Sequence, residues 1–224
     1  MGEDETGPTR HGIASASPTP HPAKFSAAIQ PILRAWLEGC TRVLDPMAGV
    51  GHGNLAHFYN ELEPEWAEQC KGGVTVGDAR SLPYASSTFD AVVTSPVYGN
   101  RMSDHHDAKD SSTRVTYRHK LGRPLHYANT GQLQWGSAYR EFHISIWQEV
   151  LRVLQPGGRF LLNVADHFRL DERMYVSQWH LYTCQNLGFR YVKGRTVGVP
   201  GMRYGENRGK RVGYEYVYYF EKGA

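Results

Sequence analysis

The chain has 224 residues, of which 40% are hydrophobic, and its formal net charge is +3. This length and composition predict a soluble globular protein with one domain and a sizeable core. They exclude a membrane-spanning protein, because no apolar run approaches the roughly 20 residues that a spanning helix needs. A net charge this small does not by itself indicate a nucleic-acid partner.

The first 20 residues are polar and rich in Gly, Ser, Thr and Pro. They lack the apolar core of a signal peptide, and we expect a disordered tail ahead of one domain over residues 21–224. Three cysteines, Cys40, Cys70 and Cys184, are too widely spaced for a disulfide framework or a zinc site. Their spacing favours a reducing, cytoplasmic location.

The first predicted element is a helix from Ser26 to about Leu37, which follows the segment His21-Pro22-Ala23-Lys24-Phe25. Apolar residues recur on one face of this helix, and Ser26 is a suitable N-cap. Pro31 either kinks the helix or marks its true first turn, because proline is tolerated in a first turn and not in a helix interior.

A glycine-rich turn, Asp45-Pro46-Met47-Ala48-Gly49-Val50-Gly51, follows a predicted strand over residues 42–44. Glycines allow the backbone to approach a ligand that a Cβ atom would push away. We predict that a helix begins over Gly53 to Phe58, where its free N–H groups would suit a carboxylate. The sequence Gly-Lys-Ser/Thr is absent from this turn, which argues against a nucleoside triphosphate.

A second strand is predicted from Phe58 and ends in acidic residues, before a helix over residues 64–70. In dinucleotide-binding folds an acid at this strand end accepts hydrogen bonds from ribose hydroxyls. Glu61 and Glu63 are both candidates for that position. A third strand, residues 74–76, leads to the turn Gly77-Asp78-Ala79, where the plainer role for Asp78 is to cap the turn.

A fourth strand, buried and apolar, is predicted over Phe89 to Val93 and ends at Ser95-Pro96. Proline cannot donate to a sheet and restricts the residue before it, so the strand stops there. A serine hydroxyl, a proline carbonyl and the ring of Tyr98 therefore emerge together at the carboxyl end of a strand. In open α/β sheets, ligands bind at that end.

Residues 102–139 form a long irregular insert that is rich in His, Asp, Arg, Tyr and Gly. Such a stretch in a compact domain is usually functional or disordered, and we expect a lid or a nucleic-acid-binding loop. Four histidines lie in it: His105, His106, His119 and His126. Their spacing does not match metal ligands on a helix, and we predict no metal site.

The rest of the chain predicts a core helix over residues 142–154, a central strand over 159–165, a helix over 175–187, and an antiparallel pair of strands over 189–192 and 214–220. Three polar residues, Asp166, His167 and Arg169, follow the central strand at its functional end.

A glycine-rich loop, residues 194–213, is predicted between the last two strands. Residues 190–211 carry seven basic side chains against the single acid Glu206. This local excess of positive charge is suited to phosphate groups, and its plainer interpretation is a solvated charged loop.

Two of these motifs, in this order and about fifty residues apart, resemble those of the amino-methyltransferases. These enzymes transfer a methyl group from S-adenosylmethionine (SAM) to the exocyclic amine of a nucleic-acid base, and their catalytic motif is Ser/Asp/Asn-Pro-Pro-Tyr. Here a glycine-rich loop precedes Ser95-Pro96-Val97-Tyr98. The resemblance covers most of the chain from His21 to about Phe220 and is weak between Ser103 and Gln134. It implies a Rossmann-like α/β fold with a mostly parallel sheet and an antiparallel C-terminal strand.

The resemblance also implies which residues bind SAM. Lys24 and Phe25 would lie against its methionine end, and Glu61 would bind the ribose, with Glu63 as the alternative. Asp78 would accept a hydrogen bond from the adenine amino group. The remaining cofactor-binding positions are Asp45, Pro46, Ala48, Gly49, Gly51, Ala79 and Ser95.

The exocyclic amine of cytosine or adenine is a poor nucleophile, because its lone pair is delocalised into the ring. The resemblance assigns the Ser95 hydroxyl and the Pro96 carbonyl to hydrogen bonds with this amine in the transition state. Tyr98 would stack on the target base. Val97 stands where the family has a second proline, which removes one φ constraint and puts the rigidity of the loop in question.

The leading interpretation is a DNA methyltransferase specific for N4 of cytosine, because serine in the first motif position is typical of those enzymes. The alternatives are an adenine-N6 or RNA-base methyltransferase, a catalytically silent SAM-fold subunit that binds nucleic acid, and a small-molecule methyltransferase. We expect only residues 102–139 and 194–213 to be available for reading sequence, in place of a sizeable target-recognition domain. We therefore expect low or short sequence specificity, or an RNA or single-stranded substrate. The oligomeric state and the biological setting, whether restriction-modification, phage or regulation, are left open.

Overall fold

The computed structural model describes residues 19–21, 24–99, 116–199 and 212–223. The strands are β1 Val43–Asp45, β2 Phe58–Glu61, β3 Gly73–Val76, β4 Phe89–Thr94, β5 Leu154–Val164, β6 His167–Arg169, β7 Glu172–Met174, β8 Phe189–Gly198 and β9 Tyr214–Lys222. The helices are α1 Gln30–Trp36, α2 Pro64–Ala67, α3 Tyr117–Leu121, α4 Ser137–Val153 and α5 Val176–Asn186, with a 3-10 turn at Thr130–Gln132.

Seven strands form one sheet in the order β3-β2-β1-β4-β5-β9-β8, and β6 and β7 form a separate hairpin. Strands β1 to β5 run parallel, whereas β9 lies antiparallel between β5 and β8. The predicted α/β fold, with its antiparallel C-terminal strand, is confirmed. The chain runs outward from β1 to β3 and then returns to β4 beside β1. The loops that follow β1 and β4 diverge, which leaves a crevice of the kind that binds ligands in these sheets.

Alternate residues of the central strands face opposite sides of the sheet. On one side, Val92 packs in a cluster with Trp147 of α4. On the other, Ala91 and Leu161 pack in a cluster with Leu33 of α1. Each fully buried aliphatic or aromatic side chain contributes roughly 1.5–3 kcal/mol through the hydrophobic effect. These two layers hold the sheet rigid beneath the loops at its carboxyl edge.

The predicted helix over Gly53 to Phe58 is wrong. Residues 51–54 form turns, and the chain enters β2 directly at Phe58. The φ angles of Gly49, Gly51, Gly53 and Asn54 are +56°, +66°, +89° and +46°, which are incompatible with a right-handed helix. The anion site predicted at that helix N-terminus therefore has no helix to form it.

Helix α1 begins at Gln30 rather than Ser26, and Pro31 lies in its first turn. This confirms the second of the two expectations for the proline. Ser26 instead belongs to the turn ahead of the helix, where its carbonyl accepts the backbone N–H groups of Ile29 and Gln30. A proline in the first turn needs no hydrogen-bond partner, so the helix begins there without loss.

The stretch predicted to be irregular contains helix α3 and the 3-10 turn, and most other differences lie at element boundaries. Helix α4 begins at Ser137 rather than at residue 142, and β8 continues to Gly198, so the loop predicted from residue 194 begins later. The β6–β7 hairpin was not predicted. The predictions for residues 1–18, 100–115 and 200–211 lie outside the described residues. Within the described ranges, no helix is long and apolar enough to cross a membrane.

Candidate active site

A cavity of about 590 Å³ lies beside the divergence of β1 and β4. All but one of the predicted site residues line it: Lys24, Phe25, Asp45, Pro46, Ala48, Gly49, Glu61, Asp78, Ala79, Ser95, Pro96 and Tyr98. The exception is Gly51. A Cβ atom there would lie 3.2 Å from the Tyr59 ring and 3.3 Å from Cys70 Sγ, so this glycine allows close packing beneath the loop.

Gly49 is crowded from two sides of the loop after β1. Its φ is +56°, and a Cβ atom would lie 2.9 Å from the His21 imidazole. Its N–H donates to Glu61 Oε2 at 2.7 Å. Both conformation and space therefore require glycine at this position. The contact also brings the His21 segment against the loop, inside the same cavity.

Two buried carboxyl groups, Asp45 and Glu61, lie at the ends of β1 and β2. Burial raises the pKa of each to about 7. Hydrogen bonds to Glu61 from the N–H groups of Glu63 and Gly49 act in the opposite direction without offsetting burial. Both carboxyl groups therefore titrate near neutral pH, because burial disfavours the charged form.

Asn60 ties together two of the loops that border the cavity. Its side-chain amide nitrogen donates to the Pro46 carbonyl at 3.1 Å and to the Gly77 carbonyl at 3.0 Å. Its backbone carbonyl accepts the N–H of Ala48 at 3.1 Å. The loops after β1 and β3 are thus held at a fixed separation by one buried side chain of β2.

Asp78 forms a bidentate pair with Arg80 in the turn after β3. The guanidinium Nη2 lies 2.6 Å from Asp78 Oδ2, and the backbone N–H of Arg80 donates to Oδ1 at 2.9 Å. Burial alone would raise the pKa of Asp78, but the hydrogen bonds from Arg80 outweigh it and the pKa is lowered. This carboxylate is therefore charged at neutral pH and acts as a hydrogen-bond acceptor on the cavity wall.

Lys24 is a positively charged residue that lines the cavity. It is exposed and precedes the buried residue Phe25 in sequence. His52 also lines the cavity, and its pKa is lowered by burial and by the charge of Lys24. The histidine is therefore neutral at pH 7, and Lys24 is the cation on this wall.

The insert covers part of the cavity through a cover segment, residues 116–136. Glu63 is fully buried beneath it. Glu63 Oε1 accepts the backbone N–H of His126 at 2.8 Å and the side-chain amide of Asn129 at 2.9 Å, and Oε2 pairs with Arg123 at 2.8 Å. Glu63 does not line the cavity. Its role in the structure is to anchor the cover segment, whereas Glu61 faces the cavity.

Ser95 and Tyr98 contact each other at the end of β4. Ser95 Oγ lies 2.8 Å from the Tyr98 hydroxyl oxygen, and both residues line the cavity with Pro96. The Tyr98 ring is half-buried and packs against the main core cluster. Burial raises the pKa of Tyr98 well above its ordinary value, so the hydroxyl keeps its proton.

The carbonyl of Val97 is anchored from the protein interior. It accepts a hydrogen bond from the Tyr139 hydroxyl at 2.7 Å, and that hydroxyl lies 2.9 Å from His180 Nε2. Trp147 Nε1 donates to His180 Nδ1 at 3.1 Å. Because an indole N–H can only donate, His180 carries its proton on Nε2 and donates it to Tyr139. These hydrogen bonds fix the position of the Val97 carbonyl from inside the protein.

The basic run after α5 is only partly placed near the cavity. Arg190 forms an ion pair with Glu221, and the Lys193 ammonium lies 5.0 Å from the centre of the Trp36 ring. β8 runs in the same direction as β5, so its first residues lie level with the start of β5, whereas the cavity lies at the carboxyl ends of the parallel strands. Arg190 and Lys193 therefore do not form part of a phosphate surface around it. Residues 200–211 lie outside the described residues.

The two histidines of the insert that the structure describes have local partners. His119 Nδ1 lies 2.7 Å from the Thr116 hydroxyl, and His126 Nδ1 accepts the N–H of Ala128 at 3.2 Å. In the described part of the chain, no group of three or more His, Cys, Asp or Glu side chains is placed to hold a metal ion.

Comparisons with known proteins give structural relatives only. No protein-family model matches the chain, and no curated protein sequence matches it. A SAM-dependent methyltransferase of Methanosarcina mazei superposes with a TM-score of 0.55 at 14% identity, over 86% of this chain and 97% of that one. The PH0226 protein of Pyrococcus horikoshii gives 0.54 at 14% identity, over 87% and 88%. The chain has the fold of the SAM-dependent methyltransferases.

The same fold does not fix one reaction. The cyclase SpnF superposes on this chain with a TM-score of 0.54 at 13% identity, over 88% of this chain and 80% of that one. At such identities the likeness extends to the fold alone, and the activity must be inferred from the residues in the cavity.

Several residues that shape the site were not predicted from the sequence: Asn60, Trp66, Tyr117, Tyr139, Asn163, His180 and Glu215. Most of them hold other residues in place rather than belong to a motif. Two carried a signal. Asn60 is a polar residue that follows Phe58 and Tyr59 inside β2, and Glu215 is the one acid within the aromatic run of β9 from Tyr214 to Phe220. A buried polar residue in a strand needs partners, which indicates a structural or functional contact.

Proposed function

We propose that this chain is a SAM-dependent methyltransferase that methylates the exocyclic amino group of a base in DNA, with N4 of cytosine as the target. One observation carries the proposal. The Ser95 hydroxyl and Pro96 line the same cavity as the loops that follow β1, β2 and β3. This arrangement supports a site for the methyl donor next to a pair of hydrogen-bond acceptors for an amine, at the divergence of β1 and β4.

The residues of the cavity fit SAM. A volume of about 590 Å³ suits a ligand of this size, since small-molecule pockets run from about 300 to 1,000 Å³. Lys24 suits the carboxylate of the methionine end, and the charged Asp78 suits the adenine amino group. Glu61, at the end of β2, is suited to the ribose hydroxyls. When bound, SAM supplies an electrophilic methyl group.

The residues at the end of β4 would act on the amine. Hydrogen bonds from its N–H groups to Ser95 Oγ and the Pro96 carbonyl favour localisation of the nitrogen lone pair. Held by these two acceptors, the nitrogen would face the methyl group that bound SAM supplies. Transfer would exchange the S–C bond for an N–C bond, leave the sulfur as a neutral thioether, and release one proton from the nitrogen to water. No covalent enzyme intermediate is needed, so the reaction needs no cysteine nucleophile.

A base inside a duplex cannot reach this cavity, so the target must be flipped out or taken from a single strand. Tyr98, whose ring is half-buried beside Ser95, is the residue that we assign to stacking on the base. The described part of the chain offers the cover segment as the main surface near the cavity beyond the sheet loops. We therefore propose low or short sequence specificity.

The experiment that tests this proposal is transfer of labelled methyl from SAM to DNA and RNA of mixed sequence, followed by digestion to nucleosides. Label in N4-methylcytosine is the expected result. Label in N6-methyladenine or in an RNA nucleoside would keep the cofactor site and correct the substrate. SAM binding by calorimetry without any transfer would contradict the enzymatic proposal and favour a silent nucleic-acid-binding subunit.

A further inference from the structure

A carboxylate from the far end of the sequence lies beside the predicted acceptor site. Because β9 runs antiparallel to β5, its first residues lie at the edge where β4 and β5 end. Glu215 is the second residue of β9 and lines the same cavity as Ser95 and Pro96. Ser95 and Glu215 are 120 positions apart in sequence and are brought together by the topology of the sheet.

Glu215 ends a short chain of hydrogen bonds that begins at Ser95. Asn163 Nδ2, from β5, donates to Glu215 Oε2 at 2.6 Å. The Tyr98 hydroxyl donates to the same oxygen at 3.4 Å, and Ser95 Oγ lies 2.8 Å from the Tyr98 oxygen. The Tyr98–Glu215 contact is long, as catalytic hydrogen bonds often are before a substrate tightens them.

Counting donors and acceptors gives this chain a direction. An ionised carboxylate only accepts, so the one proton of the Tyr98 hydroxyl points to Glu215. The Tyr98 oxygen must then accept the proton of Ser95, and it also accepts from Asn163 Nδ2 at 3.4 Å. The lone pairs of Ser95 Oγ are left to accept from another donor in the cavity. A neutral carbonyl oxygen in place of the Glu215 carboxylate accepts from Tyr98 more weakly, so Tyr98 can instead donate to Ser95 and occupy one of those lone pairs.

We propose that Glu215 is a positioning residue that orients the Ser95 hydroxyl as an acceptor for the target amine. This inference rests on the proposed function. Its negative charge also favours the positive charge that develops on the amine nitrogen during transfer. Both effects belong to the transition state and not to cofactor binding, so they act on kcat and leave the KM for SAM unchanged.

The ionised form of Glu215 is the active one. Burial raises its pKa, and hydrogen bonds from Asn163 and Tyr98 partly offset that rise. Among the described residues, Tyr98 and Asn163 are the polar groups that hydrogen-bond to Glu215, and Val197 of β8 is its cross-strand neighbour. Tyr98 stays protonated in this range. The kcat should therefore rise with pH through the pKa of Glu215 and level off above it.

The test compares kcat against pH, at saturating SAM, for the wild type and for the Glu215→Gln and Glu215→Asp variants. We expect Glu215→Gln to lower kcat about 10- to 100-fold at pH 8 and to remove the rise with pH. Glu215→Asp should recover part of the rate and the pH dependence. The matched control is Glu221→Gln, on the same strand at the opposite edge of the sheet, which should match the wild type. Equal kcat and equal pH profiles for Glu215→Gln and the wild type would overturn the proposal.

A second readout does not depend on the substrate. The side-chain amide resonances of Asn163 should titrate with pH in the wild-type protein and in Glu221→Gln, but not in Glu215→Gln. If no nucleic acid is methylated, the proposed function fails, and this titration still decides whether Glu215 controls the hydrogen-bond chain. If the Asn163 resonances show the same pH dependence in Glu215→Gln as in the wild type, that result alone would refute the inference.

Discussion

The two walls of the cavity are built in different ways. The cofactor wall, formed by the loops after β1, β2 and β3, is held mainly by near neighbours in sequence. Glu61 binds the N–H groups of Gly49 and Glu63, and Asn60 binds the Pro46 carbonyl. Every one of these contacts joins residues within 14 positions of each other.

The acceptor wall, formed by the loop after β4, is held by residues far away in sequence. Tyr139 anchors the Val97 carbonyl across 42 positions. The backbone N–H of Trp135 donates to the Gly99 carbonyl at 3.0 Å. Tyr98 reaches Glu215 across 117 positions. The contrast predicts different consequences of mutation: changes on the cofactor wall should weaken SAM binding, and changes on the acceptor wall should slow the transfer step.

Ser95→Ala should have the largest effect. We expect kcat to fall about 10²- to 10³-fold, the scale seen when one hydrogen-bonding group that acts on a transition state is removed. The KM for SAM should change little, because the role that we propose for the hydroxyl is on the amine and not on the cofactor. Labelled methyl transfer at saturating SAM measures both quantities. Ser86→Ala, in the exposed turn before β4, is the matched control and should behave as the wild type. A loss of SAM affinity as large as the loss of rate would contradict the division between the walls.

Tyr139→Phe tests how the loop after β4 is held in place. The substitution removes the donor to the Val97 carbonyl and leaves the buried His180 Nε2–H without its acceptor. We expect a loss of about 1–3 kcal/mol in the free energy of unfolding, the cost of stranded buried polar groups. The kcat should also fall, since the loop loses a fixed carbonyl. Urea unfolding measures the first effect.

The control for this substitution is Tyr182→Phe, an exposed tyrosine on α5 that should leave unfolding unchanged. If Tyr139→Phe unfolds like the control, the buried chain does not hold the loop. In that case the loop that carries Val97, where the family motif has a second proline, must be held by other contacts.

The contrast between the walls also explains what the sequence could predict. The cofactor wall depends on local motifs. Strand ends and glycine spacing placed Asp45, Gly49, Glu61 and Asp78 at the ends of neighbouring strands, and the resemblance to the amino-methyltransferases assigned them to the cofactor. Ser95 was placed in the same way, because a proline ends its strand. Parallel strands have their carboxyl ends on the same side of a sheet, so a mostly parallel sheet, as the resemblance implies, is enough to gather these residues.

The remaining features could not be predicted because they depend on tertiary packing. The helix expected after Gly53 fails through positive φ angles, which glycine permits but does not require. The partnership of Glu215 with Tyr98 needs the antiparallel placement of β9 against β5. The chain from Trp147 to Val97 needs α4 and α5 packed side by side. None of these has a signature in local periodicity.

Asn60→Ala tests the cofactor wall. The side chain bridges the carbonyls of Pro46 and Gly77, so its loss should let the two loops separate. We expect the Kd for SAM to rise about tenfold, which corresponds to about 1.4 kcal/mol. The kcat at saturating SAM should change much less than in Ser95→Ala. Isothermal titration calorimetry gives the affinity, and Asn186→Ala, an exposed asparagine at the end of α5, is the control. A fall in kcat without a change in affinity would reverse the assignment of this wall.

Glu61→Gln should have the smallest effect and concerns stability. The pKa of Glu61 is about 7 in the folded protein, against an ordinary value of 4.5, so the folded state holds the proton more tightly than the unfolded chain. The stability that this group contributes is therefore complete below pH 4.5 and is lost as pH rises to about 7. Asp45 acts in the same direction. Glutamine mimics the protonated form and should remove the Glu61 part of this slope.

The expected size is on the order of 1 kcal/mol between pH 5 and pH 8, because one pKa unit corresponds to about 1.4 kcal/mol and the buried hydrogen bonds offset part of it. Urea unfolding at the two pH values measures the slope for the wild type, Glu61→Gln, and the control Glu68→Gln, an exposed residue just after α2. A shallower slope in Glu61→Gln alone places the titration on the cofactor wall. An unchanged slope would mean that Glu61 is ionised in the folded protein. The hydrogen bonds from the N–H groups of Gly49 and Glu63 would then stabilise the carboxylate by more than burial destabilises it.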